Sequence, residues 1–155
     1  MVCLPGKVVA QPSLHGLELL VPETDSEFEG MISAQNEAYG EPATVSAKAV
    51  EDRRDLLKHG GLAVLGRNSD TGEPAGGAVG TALAGGSTEL AGLGVRDAYR
   101  RRGLGAAMAE FLAREAHSHG GVTVFLTPAG VPEERMYARV GFVPAGECVH
   151  LRVSS

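Results

Sequence analysis

Arg100-Arg101-Arg102-Gly103-Leu104-Gly105 is the segment whose residue types and spacing carry the clearest chemistry. Directly behind it, Leu104, Met108, Phe111, Leu112 and Glu115 recur at helical spacing up to His117, so the segment opens a helix. A helix N-terminus presents unpartnered backbone N–H groups and a partial positive charge, and together these bind anions. Glycine lets the backbone approach an anion with no Cβ in between, and arginine adds charge-assisted bonds to phosphate. A diphosphate ligand is expected. Two well-known diphosphate patterns fail, because Met108 stands where a dinucleotide fingerprint needs its third glycine and no Gly-Lys-Ser/Thr follows the loop.

Other reactive side chains give weaker patterns. No Ser-His-Asp or Cys-His arrangement can be built. His117 and His119 have no third ligand at suitable spacing, so no metal site is expected. His150 reads as structural or substrate-side, and Arg96 with Asp97 as loop ion pairs. Glu133-Glu134-Arg135 reads as the charged first turn of a helix, where acids suit the dipole. Cys3 reads as a tail residue and Cys148 as a small strand hydrophobe.

The elements that must position this loop follow from the patterning. Met1 to His15, with prolines at 5 and 12, is an N-terminal arm, and residues 16–155 form the folded domain. Leu17 to Val21 is a short strand stopped at Pro22. Helices follow over about Glu27–Tyr39 and Ser46–His59. Leu62–Leu65, Gly77–Leu83 and Thr88–Val95 are strands of an antiparallel meander, with turns at Asn68–Gly72 and Gly85-Gly86. Val122 to Leu126 is a continuous apolar strand, as buried parallel strands tend to be. Strand, helix, strand across Thr88–Leu126 implies a right-handed parallel crossover. A short helix from Pro132 to Val140 ends at Gly141, and Phe142 to Val153 supplies one or two last strands. The fold class is α+β in three layers, with a mixed, mostly antiparallel twisted sheet and about four flanking helices.

Composition narrows the function. The chain has 155 residues, 43% apolar and 21% charged, which suits one globular domain with a sizeable core. No apolar run nears the roughly 18 residues of a spanning helix, and there is no continuous apolar leader, so a cytoplasmic protein is expected. The formal charge of −5 argues against nucleic acid as a partner and suits a cationic substrate.

The spacing Arg100-x-x-Gly103-x-Gly105 resembles the pyrophosphate loop of the GNAT superfamily of acetyltransferases. Tyr137-Ala138-Arg139-Val140-Gly141-Phe142 resembles that superfamily's Tyr-x-x-x-Gly-Phe signature. Both stand in the right order around the Val122–Leu126 strand, and the resemblance runs from Leu17 to Val153. Glu89 to Val95, Tyr99 to Gly105 and Phe125 to Pro128 are similar to a branch of bacterial members, some of them longer.

The resemblance implies a set of roles. The backbone of Leu93, Gly94 and Val95 would pair with the pantetheine arm of acetyl-CoA. Arg100, Arg101, Arg102, Gly103, Leu104, Gly105 and Ala106 would wrap the pyrophosphate. The Thr88–Val95 and Val122–Leu126 strands would splay to admit the thioester, with Gly92 and Gly94 suited to a bulge. Acetyl would pass to a primary amine of a small molecule or peptide. A lysine-like amine is only about one part in a few thousand neutral at pH 7, so a base helps. Glu89 resembles the superfamily's general base, although a bulge would change which way it faces. Tyr137 would protonate the leaving thiolate at the thioester end of the coenzyme site. The acceptor cleft would be built by the first two helices and the last strands, and there Tyr39, Glu27, Glu29, Glu37 and Glu41 either line an acidic mouth or form solvated faces. A non-catalytic CoA-binding regulatory module is the competing reading, and a homodimer is among the assemblies left open.

Overall fold

The computed structural model describes residues 1–147. Cys148, His150 and the expected strand out to Val153 lie outside the described residues. The sheet has six strands in the order β1-β6-β5-β4-β3-β2. In chain order these are β1 (Val2–Cys3), β2 (Leu17–Leu20), β3 (Leu62–Asn68), β4 (Pro74–Gly80), β5 (Ser87–Val95) and β6 (Thr123–Phe125). The helices are α1 (Asp25–Ala38), α2 (Ala47–Lys58), α3 (Leu104–Ser118) and α4 (Val131–Val140). All neighbouring strands pair antiparallel except β5 with β6.

Strand alternation sends successive side chains to opposite faces and so divides the core in two. Val64, Ala78 and Leu90 pack with Met108, Leu112 and Val140 on the side of α3 and α4. Ala63, Leu65 and Val79 pack with Phe28, Met31 and Val50 on the side of α1 and α2. The result is three layers. Local signals start the helices: Thr24 and Glu27 form a capping box on α1, and the Ser46 hydroxyl accepts from the Ala49 amide on α2.

The N-terminal segment is built into this frame. Val2 and Cys3 pair with Phe125 and Val124, and the Val9 amide donates to the Val140 carbonyl at 2.9 Å. Cys3, expected as a tail residue, is 1% exposed within the core, because β1 covers what would otherwise be the free edge of β6. β4 lies three residues earlier than its expected span. Thr81 is taken up instead by a turn in which its carbonyl receives the Thr88 hydroxyl at 2.5 Å.

Candidate active site

β5 and β6 run side by side only over Ser87–Glu89 and Thr123–Phe125, and beyond Glu89 they part. Into that opening faces a cavity of about 530 Å³, lined by Leu90 to Val95, Tyr39, Leu126, Thr127, the Arg100–Ala106 region, and Glu133, Met136 and Tyr137 of α4. The expected splay between these two strands is therefore present.

β5 carries a bulge in the cleft wall. Gly77 pairs with Gly94 and Val79 with Ala91, so one extra residue of β5 sits between those pairs. Gly92 adopts φ +60°, which disfavours a side chain, and a Cβ there would stand 2.8 Å from the Gln35 Nε2. That Nε2 donates to the Gly92 carbonyl at 2.6 Å, from a residue only 5% exposed. Gln35 thus fixes the bulge from beneath, a role that no sequence spacing announces. Replacing it with Leu is expected to cost about 1–3 kcal/mol in urea unfolding, because the half-buried Gly92 carbonyl loses its donor. An unchanged midpoint and slope would mean that the bond contributes nothing.

The bulge decides where Glu89 stands. Leu90 belongs to the α3-side core, so alternation places Glu89 and Ala91 on the α1 side. Past the extra residue, Leu93 and Val95 face the α3 side again. Glu89 pairs with Phe125 at the closed end of the opening and is not among the cavity's lining residues.

The loop before α3 combines two left-handed residues, Arg101 at φ +60° and Gly103 at φ +81°. The first helical bond is from the Ala107 amide to the Gly103 carbonyl at 3.0 Å, and Gly103 provides no side-chain cap. The amides of Arg101 to Ala106 donate to no described residue, and the first turn holds no acid. This is an open cradle of N–H groups. Gly105 closes one side of it: a Cβ there would lie 3.0 Å from the Met136 Sδ and 3.6 Å from Leu93 Cδ2.

The three arginines do different things. Arg100 lines the cleft while bonding the Val95 carbonyl and pairing with Asp97 at 3.0 Å. Arg101 lines the cleft with no ion pair among the described residues. The Arg102 side chain turns away, donating to the His15 carbonyl at 3.1 Å and covering the Tyr99 ring. Arg102 is not among the residues that line the cleft. Tyr99, which bonds Glu73, anchors the whole loop.

Tyr137 is 8% exposed, stacked edge-on against Phe142 at 5.9 Å, and lines the cleft. Burial first, then Tyr39 and Glu133, pushes its phenol up to about 12. Across the mouth, the Tyr39 hydroxyl donates to the Leu93 carbonyl at 3.0 Å, and burial followed by Glu133 holds that phenol above its ordinary value. Of the acids named near Tyr39, Glu27, Glu29, Glu37 and Glu41, none lines the cleft. Glu27 caps α1 and Glu37 pairs with Arg96 at 2.7 Å, while Glu29 lies along α1 near Arg54. Asp97 and Arg96 do form the expected loop ion pairs. His117 bonds the Gly121 carbonyl at 2.8 Å, closing the end of α3. No helix among the described residues is long and apolar enough to cross a membrane.

The parted strand pair, the bulged wall and the uncapped helix start frame one cleft. The model of the acetyltransferase (GNAT) family matches residues 28–142, and the chain belongs to that family. A GCN5-related N-acetyltransferase from Kribbella flavida is similar at 29% identity and TM-score 0.70, over 92% of this chain and 52% of that one. The chain thus spans about half the length of that relative. Glucosamine-6-phosphate N-acetyltransferase from Arabidopsis thaliana has the same fold at 14% identity and TM-score 0.74, covering 90% of this chain and 100% of that one. So does AAC(6')-Iy, solved in complex with the bisubstrate analogue CoA-S-monomethyl-acetylneamine, at 13% identity and TM-score 0.68 over 90% and 99%. No curated protein matches in sequence.

Proposed function

We propose that this chain transfers an acetyl group from acetyl-CoA to a primary amine of a small molecule or peptide by direct attack. The observation that carries the reading is the continuity of one cleft from the open amides of Arg101–Ala106 to the Tyr137 hydroxyl. Those amides, with Arg100 and Arg101, would hold the pyrophosphate, and the bare Cα of Gly105 lets the start of α3 lie close against Met136 and Leu93. The Leu93–Val95 backbone would pair with the pantetheine arm as an added strand. Tyr137 is the proton donor to the departing sulfur. Glu89, at the point where β5 and β6 part, is the base and takes a proton through water from the substrate's ammonium form before the neutral amine attacks.

Calorimetric titration with acetyl-CoA, joined to thiol release over a panel of amines, tests this. Binding with turnover on at least one amine is expected. No binding by folded protein defeats the proposal, and tight binding without turnover on any amine identifies a non-catalytic CoA-binding module instead.

A further inference from the structure

Glu133 supplies the only carboxylate among the described residues that line the cleft. The charged residues lining it otherwise are Arg100, Arg101 and Arg139. The Glu133 carboxylate has no ion-pair partner within 4 Å among the described residues, and it completes no capping bond at the start of α4. It lies four residues before Tyr137 on α4, so the two share one helix face about 6 Å apart along the axis. Both Tyr39 and Tyr137 feel its charge.

An unpaired anion in an otherwise neutral or cationic cleft calls for a cation from outside. It is not suited to the reacting nitrogen. A carboxylate touching that group would favour its ammonium form, which cannot attack. We propose that Glu133 binds a second, non-reacting ammonium on the acceptor, so that the acceptors are diamines or other amines carrying a further positive charge. This inference rests on the acetyl-transfer reading above. Glu133 is then a specificity-determining residue in the cleft that Tyr39 and Tyr137 also line.

The test uses straight-chain diamines from ethane to hexane and the matching monoamines, with acetyl-CoA as donor. Wild-type protein is expected to prefer at least one diamine over its monoamine partner. Glu133→Gln is expected to lower kcat/KM for that diamine by about 10- to 100-fold and for the monoamine by under about twofold. Coenzyme affinity should stay unchanged. Glu134→Gln, which removes the neighbouring first-turn acid outside the cleft lining, controls for the helix dipole and should leave the preference intact. Equal loss on both acceptor types, loss with Glu134→Gln, or turnover of monoamines without diamine preference overturns the proposal. So does wild-type protein that binds acetyl-CoA and acetylates neither series. A wild-type chain that fails to bind acetyl-CoA defeats the underlying reading instead.

Discussion

Tyr137→Phe is expected to lower kcat by roughly ten- to a thousandfold while acetyl-CoA binds with nearly unchanged affinity. The ring that packs against Phe142 survives the substitution, so melting should barely move and the loss reports on the hydroxyl alone. The phenol at about 12 is a poor free acid for a thiolate whose conjugate acid lies near 8.5. Leaving a phenolate behind would run roughly 5 kcal/mol uphill, at 1.36 kcal/mol per pKa unit. A relay avoids that step. As the amine nitrogen bonds to the acyl carbon and the carbon–sulfur bond breaks, the hydroxyl gives its proton to sulfur and receives one from the positively charged nitrogen. Burial is then useful, because it keeps Tyr137 neutral across the working pH range. No rate loss from Tyr137 ionisation is expected below about pH 10. The folded phenol also holds its proton above the unfolded value of 10, so stability should fall as pH rises from 10 towards 12. An unchanged kcat in the phenylalanine variant would remove Tyr137 from the chemistry.

The parts of this site that could be read from sequence are those made by backbone. Arg100 to Gly105 was legible because glycine spacing and a following helix period determine where amides point, whatever the tertiary packing. The facing of Glu89 was not legible. It depends on a single inserted residue at Gly92, which is stabilised by Gln35 from another layer. The role of Glu133 was hidden in plain pattern. An acid in a first helical turn is explained by the dipole alone, and only the docking of α4 against the Leu93 and Gly105 side of the cleft makes its partnerless state visible. β1 is two residues long with no alternation to detect, and its existence depends on the bare edge of β6 on one side and on Val143, which pairs with Val2, on the other.

That short strand leads to the largest expected change in stability. Gly141 ends α4 at φ +107°, and a Cβ on it would lie 2.1 Å from the Lys7 carbonyl oxygen and 3.0 Å from its carbon. The glycine of the Tyr-x-x-x-Gly-Phe stretch is therefore the place where the N-terminal segment crosses the chain. Gly141→Ala carries two separable costs. Left-handed backbone disfavours alanine by about 1–2 kcal/mol. The clash meets backbone on both sides, so the 1–15 segment must lift, loosening the Val9–Val140 bond, the 2.7 Å bond from the Gln11 amide to Glu110, and the β1–β6 pairing. Together these are expected to cost about 3–5 kcal/mol, a fall of roughly 10 °C in melting for a domain of this size. Gly72→Ala isolates the first cost: that residue has φ +75° and nothing within 4 Å of a would-be Cβ. Its loss should stay near 1 kcal/mol. Limited proteolysis should also cut Gly141→Ala within the first fifteen residues well before the wild type, since an unpinned arm is an extended substrate. If the two glycine variants melt within about 1 kcal/mol of each other, the crossing is soft, and β1 contributes little to holding β6 opposite β5.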